Sequence, residues 1–108
     1  MAVALEVTNE EITAWLSGEI DHCSSVELRR RIYEAVLAGP PERLVLDFSG
    51  VTFMDSSGIG LIMGRHRLMQ EQGGRVLVRG VPASLRKVMK ISGLGRLGVL
   101  EEKEEVKQ

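Results

Sequence analysis

The amino-acid sequence predicts an α/β domain with a mixed, mostly parallel sheet of four to five strands, an N-terminal hairpin and packed helices. Three observations lead to this prediction. Apolar and polar residues alternate in the first segment, two later segments are short continuous apolar runs, and segments with helical spacing separate the strands. Alternation is typical of a strand exposed on one face, whereas a continuous apolar run is typical of a buried strand in a parallel sheet. Strand–helix–strand order then implies right-handed crossover connections.

The first elements are a predicted hairpin and a helix. Alternate apolar residues lie on both sides of a polar turn at 8–10, namely Val3, Leu5 and Val7 before it and Ile12, Ala14 and Leu16 after it. This pattern predicts two antiparallel strands. Polar residues 17–23 predict a loop. Ser24 and Glu27 fit a capping box, which predicts a helix of about fourteen residues that ends before Gly39.

A buried strand and a second helix are expected next. The run 44–46 within residues 43–48 predicts the strand, and Ser49 with Gly50 predicts a turn after it. From Gly58 the apolar spacing predicts a helix that ends at the glycine pair 73–74.

The last elements are shorter. Residues 76–78 predict a further buried strand, Pro82 suits the first turn of a third helix, and residues 99–100 predict a short edge strand. Residues 101–108 contain one apolar residue and predict a charged, solvated tail. We therefore expect residues 1–108 to form one domain with a core from about 3 to 100.

Composition excludes several function classes. The chain has 108 residues, 14 basic and 15 acidic residues and a net charge of −1, which provides no general electrostatic attraction for nucleic acid or an anionic membrane. One cysteine cannot form an internal disulfide, and together with two histidines it provides few candidate ligands for a zinc site. No apolar run is long enough to span a bilayer, and no basic signal-peptide start is present. We expect a cytoplasmic protein without a metal.

The segment 53–64 is the candidate functional segment. It runs from a predicted strand into a helix, which is where α/β proteins place ligands and reactive groups. Ser56 and Ser57 fall where a helix start presents unpaired N–H groups and a positive dipole end. Five of the chain's 12 glycines lie between Gly58 and Gly74, which suggests close backbone approach.

Several interpretations of this segment compete. Asp55 or Ser56 can simply cap the helix while the glycines allow tight packing. Gly58 and Gly60 can open a nucleotide-binding turn, but the third glycine comes too late and no Gly-Lys-Ser/Thr follows. One serine can act as a nucleophile, although the chain lacks Gly-x-Ser-x-Gly and offers only His22 and His66 as bases. A serine can also carry a regulatory phosphate, which adds about −1.5 to −2 charges.

Four segments carry a family resemblance. They are the strand 44–48, the segment Phe53-Met54-Asp55-Ser56-Ser57-Gly58-Ile59-Gly60 with Gly64-Arg65 one turn later, the upstream segment Gly18-Glu19-Ile20-Asp21-His22 and the downstream segment Ile91-Ser92-Gly93-Leu94. With these segments the chain resembles the bacterial anti-sigma factor antagonists of the STAS family over most of its length. Ser57 and the pair Asp21-His22 make it most similar to the sporulation sigma-F branch.

The resemblance implies a partner-switching regulator of transcription. In that family the unphosphorylated antagonist binds an anti-sigma factor that is also a serine kinase, and the sigma factor is released. The kinase uses ATP to phosphorylate the first serine after the motif aspartate, which is Ser56 here, and a PP2C-type phosphatase restores the active form. The chain itself would then be neither an enzyme nor a binder of a cofactor, because ATP or ADP belongs to the kinase.

The resemblance also implies which residues meet the partner. Asp21 is expected in a loop beside Ser56, where it contacts an arginine of the anti-sigma factor. The remaining expected contacts are Glu19, His22, Asp55, Ser57, Gly58 and Gly60. A STAS module of a stress-response complex or of a lipid-transport assembly is the alternative, and an enzyme with a nucleotide or hydrolase site at the helix start is the third.

Overall fold

The computed structural model describes residues 2–101. Its elements are β1 (Ala2–Val7), β2 (Glu11–Ile20), α1 (His22–Ala38), β3 (Arg43–Met54), α2 (Ser56–Glu71), β4 (Arg75–Arg79), α3 (Ala83–Ile91) and α4 (Leu94–Leu97). The predicted α/β fold class is confirmed. The short helix α4 was not predicted. The charged tail predicted for 101–108 lies, beyond Glu101, outside the described residues.

The four strands form one mixed sheet. Their order is β1-β2-β3-β4, with β1 antiparallel to β2 and the other neighbours parallel. This arrangement confirms the N-terminal hairpin and the mostly parallel sheet. The predicted edge strand at 99–100 is reduced to a single parallel bridge between Val78 and Leu100.

Strands β2 and β3 are longer than the sequence predicted. The predicted loop at 17–23 and the predicted turn at Ser49 and Gly50 are both wrong, because the two strands stay paired as far as Ile20 and Met54. Irregular register interrupts the apolar alternation that sequence analysis relies on. Gly50 permits the close approach, since a Cβ atom there would lie 3.0 Å from the Leu16 carbonyl oxygen.

Helix α1 also begins earlier than predicted. Asp21 is its N-cap, and Ser24 is the third residue of the helix rather than the cap. A capping box still forms, but its members are Asp21 and Ser24 instead of Ser24 and Glu27. The change moves Asp21 from a loop position to the junction between β2 and α1.

The four helices cover one face of the sheet. Alternate residues of β2, β3 and β4, such as Ile12 and Ala14 in β2, belong to one buried cluster with residues of all four helices, and Val3 and Leu5 of β1 pack against it. The carboxyl ends of β2 and β3 remain at one edge, where α1 and α2 begin. This edge contains the segment that the sequence singled out.

The opposite face carries a polar arrangement across three strands. Trp15, Asp47 and Arg79 are neighbours in the strand register. The Arg79 guanidinium donates to the Asp47 carboxylate at 2.8 Å and lies 5.0 Å from the centre of the Trp15 ring. Burial by itself raises the pKa of Asp47, but hydrogen bonds from Ser49 and Arg79 outweigh it and hold that pKa below its ordinary value.

Candidate functional site

Two aspartates meet where neighbouring strands end. Ile20 pairs with Met54 at the ends of β2 and β3, and the backbone N–H of Asp55 donates to the Ile20 carbonyl at 3.1 Å. Asp21 and Asp55 therefore follow adjacent parallel strands at the same edge of the sheet. We call residues 19–22 and 53–60 the Ser56 site.

Asp55 caps α2 through Ser57. Its Oδ1 accepts a hydrogen bond from the Ser57 backbone N–H at 2.8 Å and another from the Ser57 hydroxyl. The Ser57 hydroxyl and N–H lower the pKa of the Asp55 carboxyl, while the nearby Asp21 charge acts in the opposite direction. Asp55 is therefore ionised near neutral pH, and Ser57 is committed to the cap.

Asp21 caps α1 in the same manner. Its Oδ1 accepts from the Ser24 backbone N–H at 2.8 Å, and the Ser24 hydroxyl accepts from the Asp21 backbone N–H at 3.0 Å. The Ser24 N–H is the main cause that lowers the pKa of Asp21. Two ionised carboxylates thus stand beside two helix starts, where each faces the positive end of a helix dipole.

Ser56 differs from the neighbouring serine. It is the exposed first residue of α2. Its hydroxyl takes part in no hydrogen bond within residues 2–101, whereas the Ser57 hydroxyl donates to Asp55. Ser56 therefore presents a free nucleophilic or phosphate-accepting oxygen at a helix start.

The site glycines fall into two kinds. Gly58 is buried, and a Cβ atom there would lie 2.2 Å from Cγ and 2.4 Å from Sδ of Met54. Gly60 is exposed, and a Cβ atom there would have no neighbour within 4 Å apart from its own helix turn. Gly64, one turn later, has the same open space. Packing within the chain therefore accounts for Gly58 but not for Gly60 or Gly64.

The remaining predicted residues lie on the surface of the same edge. Glu19 is exposed and pairs in register with Phe53. His22 is exposed as the first residue of α1, and its backbone contributes to the lowered pKa of Asp55. The structure thus brings all the predicted site residues to one edge, with Gly58 beneath the surface. Their predicted contacts with a partner stay predictions.

Exposed apolar residues at this edge and on the two helices that begin there were not among the predicted partner contacts. Phe53 is 50% exposed although it lies in β3, directly before Met54 and Asp55. Val26 in α1 and Met63 in α2 are also exposed. Exposed apolar side chains beside polar groups are typical of protein contact surfaces. The sequence feature that could have indicated a role for Phe53 was its position directly before Met54 and Asp55.

Arg65 is a second residue whose position was not anticipated. Its Nε and Nη1 atoms are buried and have no hydrogen-bond partner among the described residues. Desolvation lowers the pKa of Arg65, and the nearby positive charge of Arg29 acts in the same direction. A partly buried guanidinium without acceptors destabilises the free domain.

Neither histidine is bonded to Ser56. His66 lies in α2, ten residues after Ser56 and therefore about 15 Å along the helix axis. The exposed His22 donates no hydrogen bond to the Ser56 hydroxyl in the described part of the chain. These positions give no support to a serine nucleophile activated by histidine.

Residues 2–101 contain neither a metal-binding cluster nor a membrane-spanning helix. In the range 2–101 no cluster of three or more His, Cys, Asp or Glu side chains is arranged to hold a metal ion. Across that same range no helix combines the length and apolar character needed to cross a bilayer. The expectation that the chain needs no cofactor stays a prediction.

The fold and the site define a small α/β module with a free serine hydroxyl at a helix start and a capping carboxylate on each side of it. A STAS domain profile matches residues 2–106, and the chain belongs to the STAS domain family. The anti-sigma F factor antagonist of Lysinibacillus sphaericus is 37% identical over 89 residues, which are 82% of this chain and 76% of that protein.

Two solved structures reproduce the fold over 96% of this chain, each at 35% sequence identity. The anti-sigma factor antagonist SpoIIAA in its unphosphorylated form matches with a TM-score of 0.83 over 90% of its length. The Bacillus cell fate determinant SpoIIAA in the phosphorylated form matches with a TM-score of 0.75 over 93% of its length. A single STAS domain of this architecture is thus confirmed.

Proposed function

We propose that this chain is an anti-sigma factor antagonist controlled by phosphorylation of Ser56. The unphosphorylated form binds an anti-sigma factor that is also a serine kinase, which frees the sigma factor, and the phosphate abolishes that binding. The free, exposed hydroxyl of Ser56 at the start of α2 is the observation that carries the assignment. The named function of the relatives and the two reported forms of SpoIIAA support it.

The contrast between adjacent serines favours Ser56 over Ser57. Transfer of a phosphate requires a hydroxyl that can reach another protein's active site and give up its proton there. Ser57 would first have to leave the Asp55 carboxylate, and α2 would lose part of its cap. Ser56 can accept the phosphate without breaking any hydrogen bond of the described residues.

The phosphate would act by local charge. It adds about −1.5 to −2 charges at an edge that already carries two ionised aspartates. A partner surface that fits Asp21, Asp55 and a neutral hydroxyl then meets excess negative charge and extra volume. The N–H groups at the start of α2 favour the phosphate electrostatically, so the switch requires no refolding of the domain.

The surface around Ser56 suits a protein partner. Gly60 allows a close approach to the helix backbone, and Phe53 provides an apolar contact beside Glu19. Asp21 and His22 complete the edge as partner contacts. ATP would be bound by the partner kinase, and this chain would contribute only the acceptor hydroxyl.

The wider pathway follows from the same proposal. A PP2C-type phosphatase would remove the phosphate from Ser56 and restore binding. We propose, with support from the similarity to sigma-F antagonists, that the chain regulates transcription during sporulation. In this proposal it acts in the cytoplasm, is not an enzyme and binds neither nucleic acid nor membrane directly.

The direct test is phosphorylation by the cognate anti-sigma factor. The purified chain is incubated with that factor and ATP, and intact-mass spectrometry counts the phosphates. We expect one phosphate on the wild type and on Ser57→Ala, and none on Ser56→Ala. Equal phosphorylation of Ser56→Ala would show that the site assignment is wrong.

Binding is measured separately on unphosphorylated proteins. Ser56→Asp should lose affinity for the anti-sigma factor while its circular dichroism spectrum and melting temperature stay close to those of the wild type. Ser56→Asn is the matched control, because it has similar volume without charge. If Ser56→Asp and Ser56→Asn bind equally well, a charge switch at this position is refuted.

A further inference from the structure

We propose that a cavity at the carboxyl end of β4 binds a small amphipathic anion, meaning an organic acid with an apolar body. The cavity has a volume of about 290 Å³, which is near the lower end of the range for small-molecule sites. It is separate from the Ser56 site. Arg79, at its rim, pairs with Asp47, and β3 continues from there to Met54, about 20 Å further along the sheet.

The inner wall of the cavity is apolar. Val78 and Met89 line it, although they are only 1% and 0% exposed to solvent. The half-buried side chains of Val81 and Leu100 extend the same wall. An apolar group that enters this space removes water from the accessible parts of Val81 and Leu100, which favours binding.

The rim of the cavity is mainly positive. Arg86 and Lys90 line it, opposed by the single carboxylate of Glu101, while the charge of the third basic lining residue, Arg79, is paired with Asp47. The Arg86 Nη2 atom donates to the Val81 carbonyl at 3.0 Å, which fixes this guanidinium against the wall. Lys90 forms no ion pair within residues 2–101. A ligand head group that carries negative charge is therefore favoured over a neutral one.

The course of the backbone at the carboxyl end of β4 leaves room for a ligand in the cavity. Parallel sheets bind ligands beyond the carboxyl ends of their strands, and the cavity occupies that position at β4. Gly80, with φ of +69°, turns the chain away from the strand. Gly95 lines the cavity, and a Cβ atom there would meet nothing within 4 Å. Because Gly95 lines the cavity and does not have a positive φ, we expect a larger side chain there to occupy part of the space without straining the backbone.

The test is a titration of the full-length, isotopically labelled chain with octanoate, followed by amide chemical shifts and calorimetry. We expect saturable binding with a Kd of about 1 mM or tighter, as for an efficient ligand of this size. Shifts should concentrate at Gly80, Gly95 and Glu101 and leave Gly60 unchanged. Shifts that spread over the molecule, or no saturation, would overturn the proposal.

Variants and ligand analogues distinguish recognition of the negative head group from recognition of the apolar body. Lys90→Gln should weaken octanoate binding about fivefold, as expected for one solvent-screened charge, whereas Lys87→Gln on the same helix should not. Gly95→Leu should abolish binding. Octan-1-ol and inorganic phosphate should each bind more weakly than octanoate. Equal binding of either one, or equal affinity of Lys90→Gln and Lys87→Gln, would refute an amphipathic anion site.

Discussion

Replacing glycines in α2 by alanine should have opposite effects at different positions. Glycine in a helix interior is about 0.5 to 1 kcal/mol less favourable than alanine. Because Gly60 and Gly64 have open space for a Cβ atom, Gly60→Ala and Gly64→Ala together should stabilise the domain by about 1 to 2 kcal/mol. A gain of that size corresponds to a rise in melting temperature of about 5 to 15 °C.

Gly58→Ala provides the matched control in the same helix. Its Cβ atom would lie 2.2 Å from Met54 Cγ, a position that the methionine can vacate only by repacking against the core. Overpacking of this kind costs about 1 to 3 kcal/mol, and the gain in helix propensity offsets only part of it. We therefore expect Gly58→Ala to be destabilised by about 0.5 to 2 kcal/mol.

Urea unfolding followed by far-ultraviolet circular dichroism measures both effects. A second assay determines the affinity of each variant for the anti-sigma factor. If the exposed glycines serve a partner, Gly60→Ala should bind about tenfold more weakly despite its greater stability. A destabilised Gly60→Ala, Gly64→Ala double variant, or a Gly58→Ala as stable as the wild type, would refute our account of the two kinds of glycine.

Three further predictions concern ionised groups. The lowered pKa of Asp47 means that its contribution to stability is present above the unfolded pKa of about 3.9 and is lost as the pH falls through the folded pKa. The free energy of unfolding of Asp47→Asn should therefore be about 1.5 to 3 kcal/mol lower than that of the wild type at pH 7. In urea titrations this difference should shrink below about pH 4. Arg65→Met should increase the free energy of unfolding by about 1 kcal/mol in the same assay, because two buried donors without acceptors are removed. A decrease would show that these donors are hydrogen-bonded in solution. Asp21→Ala should lower the melting temperature more than Glu19→Ala, because only Asp21 caps α1; equal melting temperatures would contradict that role.

The fold could be predicted because its apolar patterns are regular where they matter most. Alternation at Val3, Leu5 and Val7 indicated the hairpin, and the runs 44–46 and 76–78 indicated buried parallel strands. The predictions were wrong where a long-range pairing overrides local signals. The register shifts near Ser17 lie where β2 and β3 continue through residues that resemble a loop, and pairing between strands stabilises this part of them.

The location of the site could be predicted from the sequence, but the separate roles of its residues could not. The motif placed Ser56 and Ser57 at a helix start, yet sequence alone did not show that Asp55 binds one hydroxyl and leaves the other free. Likewise Gly58 and Gly60 are the same residue type, and only the position of Met54 separates a packing glycine from an exposed one. These distinctions depend on side-chain directions that follow from tertiary packing.

Helix α2 combines several features that lower the stability of the isolated domain. Gly60 and Gly64 weaken the helix without improving the packing of the domain, and Arg65 contains buried donors without acceptors. The open space beside the two glycines can be occupied by another surface, whereas the unpaired Arg65 donors are buried within the domain itself. All three follow Ser56 in the same helix. Of these residues, Gly60 lies within about one turn of Ser56, where the proposed switch requires a partner, and stabilising the helix there by Gly60→Ala should reduce affinity for that partner.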